Sequence, residues 1–130
     1  MFELQVKSKS RSELIDITAQ IEKLLGEKGL EDSFVYIFCP HTTAGLVINE
    51  GHDENVSRDF IDIMNDLIPW NNNYKHLEGN SAAHIKSILT GCSLNLYYGD
   101  NKLDLGRWQR VFLAEFDGPR KRTIKIREKS

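Results

Sequence analysis

The sequence predicts a mostly antiparallel α+β domain, and three observations carry that prediction. Segments with strand patterning outnumber those with helical patterning. The strands come in hairpin-like pairs rather than alternating singly with helices, which argues against a doubly wound parallel sheet. The 130 residues hold 40% hydrophobic and 28% charged side chains, the composition of one globular domain spanning 1–130.

Each element has its own signal. Phe2, Leu4 and Val6 alternate with Glu3, Gln5 and Lys7, which gives a half-buried first strand. Residues 14–17 read as a short second strand. Thr18 is read as the N-cap of a helix carrying Ile21, Leu24 and Leu25 on one face, with Gly29 as its stop. Residues 34–39, FVYIFC, are β-branched and aromatic and form a central strand that Pro40 ends. Residues 44–48 make another strand. Asp53 begins a second helix with Val56, Phe60, Ile63, Met64 and Leu67 at helical spacing, closed by Pro69. The stretch 70–80, with three consecutive asparagines, is too polar and turn-prone for a regular element. Ser81 is read as the cap of a third helix that Gly91 ends. Strands follow at 93–98, 108–116 and 123–127, separated by the turn signals Gly99-Asp100-Asn101 and Asp117-Gly118-Pro119.

Seventeen basic and nineteen acidic side chains leave a net charge of −2, so bulk charge points to neither nucleic acid nor an anionic membrane. No apolar run approaches the roughly 18–20 residues needed to span a bilayer. Two cysteines are too few for a disulfide scaffold, and reduced thiols in a cytoplasmic protein are expected. A chain of this size has little bulk for a deep private pocket, so an active site between subunits is a natural expectation.

Chemistry concentrates around the histidines. His41 follows a buried strand, and His76 and His84 bracket a short glycine-containing segment. Neutral imidazole is the commonest transition-metal ligand, and three with a water make an open catalytic site. The eight-residue spacing of His76 and His84 is not that of a compact metal motif, so ordinary structural or surface histidines stand as the alternative. Glu78 is a candidate acid/base group or fourth ligand. Asp53 more simply complements a helix dipole. Thr42, Thr43 and Gly45 make a turn suited to phosphate, and equally an ordinary turn. Arg120 follows a tight turn and is the better anion clamp, whereas the cations from Lys121 onward read as a solvated edge strand. Glu115 and Asp117 are possible structural partners for them. Trp108 reads as a core or interface anchor, and Gln109 faces a pocket or a neighbouring strand. Cys39 ends a very apolar run, so an inert buried thiol outweighs a Cys–His nucleophile.

Taken together, HTTAGLVINE (41–50), HLEGNSAAHIK (76–86), Gly91-Cys92-Ser93-Leu94 and LGRWQRVFLAEFDGPRKR (105–122) resemble the YjbQ-like family, also called the secondary thiamine-phosphate synthase enzyme family. The resemblance spans essentially the whole chain. It implies a compact α+β fold around a β-sandwich-like sheet with about three helices, and usually a homotrimer. It also implies metal ligation by His41, His76 and His84, a catalytic group of Glu78, Asn80 and Gln109, and substrate contacts from Thr42, Thr43 and Arg120. The implied reaction joins a pyrimidine pyrophosphate to a thiazole phosphate, with Arg120, Lys121 or Lys86 neutralising phosphate charge. Three histidines suit Zn²⁺ or another transition metal rather than Mg²⁺, which prefers carboxylate and water. That preference keeps a metal-dependent hydrolase open beside the synthase, as well as a non-catalytic trimeric binding protein and a pH-sensitive trimer contact. A phosphorylated small molecule is the expected partner.

Overall fold

The computed structural model describes residues 1–129. The elements run β1 (Phe2–Lys7), β2 (Glu13–Asp16), α1 (Thr18–Glu27), β3 (Ser33–Phe38), β4 (Ala44–Glu50), α2 (Glu54–Leu67), α3 (Ser81–Thr90), β5 (Ser93–Gly99), β6 (Lys102–Leu103), β7 (Gln109–Glu115) and β8 (Lys121–Lys129). Every strand pair is antiparallel. They form a five-stranded sheet, β1-β8-β3-β5-β6, and a three-stranded sheet, β2-β7-β4. The fold is the α+β architecture expected, with three helices.

The two sheets share one core. Val6, Val35, Ile37, Ile124 and Ile126 from the larger sheet pack with Leu46, Val111 and Leu113 from the smaller and with Ile21 and Leu25 of α1. A second cluster of Met64, Ala83, Ala114 and Phe116 lies against Phe60, Ile61 and Trp70. The three-stranded sheet is thus covered on both faces. That explains why residues 111–116 are buried without a break and show no polar alternation.

Several local expectations are corrected. The α1 N-cap is Ile17, not Thr18. Thr18 is used across the fold instead: its hydroxyl accepts a 2.7 Å hydrogen bond from the Val111 amide. The α3 N-cap is Asn80, not Ser81. Asp53 does cap α2, accepting from the Asn55 amide at 2.9 Å. β6 is only two residues long, and a two-residue strand has no period to read in the sequence. β8 is not an edge strand: it runs between β1 and β3, and Arg122, Ile124 and Ile126 all point inward. Trp108 lies before β7 and is 52% exposed, so it is no core anchor.

Among the described residues no helix is long and apolar enough to cross a membrane.

Candidate functional site

His41 is placed by a proline. β3 pairs with β8 as far as Phe38 opposite Lys125, and continuing that register would put Pro40 opposite Thr123. Proline has no N–H to offer the ladder. The His41 ring takes over: its Nε2 lies 3.0 Å from the Thr123 amide nitrogen and 3.2 Å from the Thr123 carbonyl oxygen. An amide can only donate, so Nε2 accepts and the neutral ring carries its proton on Nδ1. Burial, and then the nearby Arg122 charge, push the His41 pKa below its ordinary value, with Arg120 adding to the effect. The ring is therefore held neutral; only its other tautomer, with Nε2–H turned to the Thr123 carbonyl oxygen, frees Nδ1 to bind a metal.

His84 comes to the same place from α3. The helix sits close on β4 because Gly45 has no side chain: a Cβ there would stand 2.1 Å from Thr90 Oγ1 and 2.6 Å from the Gly91 carbonyl oxygen. The Ser87 hydroxyl ties the same turn to the Ala44 carbonyl at 2.7 Å. Between α3 and the 41–42 turn lies a groove of about 330 Å³ lined by His41, Thr42, His84, Ser87, Ile88, Gly91 and Cys92. Ile88 and Cys92 add to the lining beyond the polar residues that the sequence singles out; the sequence signal for Ile88 is an apolar residue four positions after His84 on a short helix. His76 stands behind His84, with ring centroids 5.1 Å apart in an edge-to-face arrangement. Glu78 Oε2 is 3.8 Å from His76 Nε2, and both side chains are substantially exposed. The fold thus gathers His41 and His84 on one groove and places His76 against the second of them. Among the described residues, no three His, Cys, Asp or Glu side chains are disposed as they stand to hold a metal ion.

Asp117 connects two further candidates. Its carboxylate accepts from the Asn80 side-chain amide at 2.9 Å and from the Arg120 guanidinium at 3.1 Å. Arg120 also donates to the Asp117 carbonyl oxygen at 2.8 Å and keeps half of its side chain exposed. The Asn80 side-chain oxygen is buried with no partner.

Thr43 does not face the groove. It is buried, and its hydroxyl and carbonyl accept from Arg122 at 2.9 and 3.2 Å. Arg122 also makes a two-pronged ion pair with Glu115, and Glu115 accepts from the Ser8 hydroxyl at 2.7 Å. This network supports the 41–43 turn from beneath, so Thr43 is a framework residue. Periodicity in β8 was the signal that would have found Arg122, since Arg122, Ile124 and Ile126 share one face.

Gln109 is elsewhere. It opens β7 opposite Glu50, whereas Glu115 at the other end of β7 pairs with Ala44 beside the groove. Six residues of strand separate the two ends, roughly 20 Å. Gln109 accepts from the Gly106 amide, and its neighbours Trp108 and His52 pack ring against ring at 5.1 Å. Cys39 is buried, and burial raises its pKa, which suits an inert thiol.

Comparison with known proteins agrees along the whole chain. The family described as "UPF0047 protein YjbQ-like" matches residues 2–128. A UPF0047 protein of Methanocaldococcus jannaschii is 48% identical over 127 residues, covering 98% of this chain and 92% of the relative. The UPF0047 protein YugU of Bacillus subtilis is 43% identical, covering 95% of each. An uncharacterised YjbQ/UPF0047 protein of Clostridium acetobutylicum superposes with a TM-score of 0.93 at 41% identity, covering 99% of this chain and 100% of that one. A conserved hypothetical protein of Thermus thermophilus does so at 0.93 and 42%, with the same coverage. The chain belongs to the YjbQ-like UPF0047 family.

Proposed function

We propose that this protein is a metal-site enzyme acting on a phosphorylated small molecule. The observation that carries the reading is the convergence of His41 and His84 on one groove, with the His76 ring 5.1 Å from His84. Three imidazoles from separate segments are a transition-metal donor set, not a magnesium one. His41 is held neutral, and in the tautomer with its proton on Nε2 that N–H donates to the Thr123 carbonyl, the outer support that metal-bound histidines use, and leaves Nδ1 for the metal. His76 sits in the irregular 70–80 stretch, so a small adjustment there would bring it in as the third ligand. A bound Zn²⁺ or similar ion would supply Lewis acidity or an activated water.

The other groups take roles suited to their places. Thr42, exposed in the groove, donates to a phosphoryl oxygen. Arg120 leaves Asp117 to clamp the phosphate. Glu78, beside His76, serves as acid or base, and Asn80 holds Asp117 in place. Gln109 reaches this groove only from another copy of the chain. A homotrimer supplies that copy, and Ile88, which lines the groove at 79% exposure, with the exposed Leu77 and Leu89 of the same region, leaves apolar surface that such a copy would cover. Joining a pyrimidine pyrophosphate to a thiazole phosphate is the reaction the resemblance implies. Hydrolysis of a phosphate ester is the reaction the three-histidine set favours.

Elemental analysis of protein purified without tag or chelator tests the metal. Near-stoichiometric transition metal that disappears in His41→Ala and His84→Ala supports the site and justifies assays with the two thiamine precursors and with simple phosphate esters. Metal-free wild type that takes up no Zn²⁺ on dialysis sinks it. Light scattering on wild type and Ile88→Asp tests the assembly.

A further inference from the structure

A second polar pocket lies on another side of α3. Lys86 is two residues beyond His84, roughly 200° around the helix, so the two side chains leave in nearly opposite directions. Lys86 is only 1% exposed. Its ammonium donates to Asn65 Oδ1 at 2.6 Å, and no carboxylate lies within ion-pairing distance among the described residues. Asn65 in turn lines a pocket of about 280 Å³ with Arg11, Ser12 and Trp70. The Arg11 guanidinium lies 4.2 Å over the Trp70 ring, and it too has no acidic partner among the described residues.

The pocket is therefore built from donors. An ammonium cannot accept, so Asn65 must turn its oxygen toward Lys86, and its amide Nδ2 is left as the group for another partner. Ser12 adds a hydroxyl. Buried cations in proteins are normally paired. Here burial lowers the lysine pKa, and the one charge that bears on it is a second cation, Arg11, which lowers it further. A site with two cations, an oriented amide and no counter-charge is complementary to an anion. We infer that the Arg11–Asn65–Trp70 pocket binds a phosphate group, gripped by Arg11 and the Asn65 amide, with Lys86 orienting Asn65 and supplying charge from behind. This site is independent of the histidine groove.

Isothermal titration with inorganic phosphate at constant ionic strength tests it on wild type, Arg11→Ala, Lys86→Met, Arg120→Ala and His41→Ala. Arg11 is an exposed residue, so its replacement leaves the fold intact. Arg11→Ala is expected to weaken phosphate binding roughly tenfold or more, the value of a charge-assisted hydrogen bond. Lys86→Met should weaken it as well, while Arg120→Ala and His41→Ala, which alter the groove's own anion site, should keep the phosphate binding that Arg11→Ala removes. Sulfate should compete with phosphate, and acetate should not. Absence of phosphate binding by wild type, binding unchanged in Arg11→Ala, or binding lost only in Arg120→Ala overturns the assignment. The last result would instead favour the groove as the phosphate site.

Discussion

Glu115→Gln removes one charge from the most enclosed ion pair in the described structure and keeps the shape of the side chain. Glu115 is 0% exposed and Arg122 is 2% exposed. The Glu115 carboxylate accepts from two nitrogens of Arg122, from the Ser8 hydroxyl and from the Asp117 amide. Glutamine would leave the guanidinium buried without a counter-charge and turn an NH₂ toward at least one of these donors. Breaking a buried pair from one side costs about 3–5 kcal/mol, a large share of the roughly 5–15 kcal/mol that stabilises a domain. For a chain of this length the melting temperature should fall on the order of 10–20 °C. Urea denaturation of wild type, Glu115→Gln, Arg122→Met and the double variant Glu115→Leu/Arg122→Met measures it. The double variant should be less destabilised than either single one, because it leaves no orphaned charge. A Glu115→Gln protein within about 1 kcal/mol of wild type would refute the reasoning. Acid gives the same answer by titration. Burial raises the Glu115 pKa, but the hydrogen bonds from Arg122, Asp117 and Ser8 outweigh it and hold the group below 4.5. Its stabilisation is complete above the unfolded value and is lost as pH falls through the lower folded one.

Other outcomes follow from the same contacts. Gly45→Ala should destabilise by about 1–3 kcal/mol in denaturant titration, because the new Cβ meets Thr90 and the Gly91 backbone at once. NMR titration should place the His41 pKa below 6.5, owing first to burial and then to Arg122. Since the unfolded chain then binds that proton more readily, the His41 contribution to stability falls as pH drops below 6.5, and His41→Asn should remove this dependence. A maleimide should label exposed Cys92 in the native protein and reach Cys39 only on unfolding; equal rates at both would contradict the buried placement.

Much of the architecture was legible because it rests on periods. Alternation gave β1, helical spacing gave α2, and the turn signals separated the late strands. The errors have a common origin in tertiary demand. Thr18 and Ser81 look like caps, yet Thr18 is recruited by the Val111 amide in a distant strand. The basic tail looked solvated because its charges were counted together. In fact Arg122 turns inward to Glu115, while Lys121 and Arg127 face out. In the site, His41, Thr42, His84, Glu78 and Arg120 were nameable from their residue types and positions. Which of them meet was not. Thr42 and Thr43 are adjacent and polar, but strand entry sends one to the groove and the other to the core. Gln109 sits in the same sequence block as Asp117, but an extended strand carries the two far apart.

The ladder position of His41 has a consequence for proton movement. Each residue presents one main-chain donor and one acceptor, and the Thr123 nitrogen and carbonyl oxygen both lie within reach of the same ring nitrogen. The imidazole can therefore exchange tautomers while keeping a main-chain partner in either form, with little displacement of heavy atoms. One tautomer leaves a proton on the far nitrogen and the other leaves a lone pair there. The sheet acts as a two-position seat for the ring, and this seat is made of backbone. A side-chain substitution at Thr123 leaves it in place.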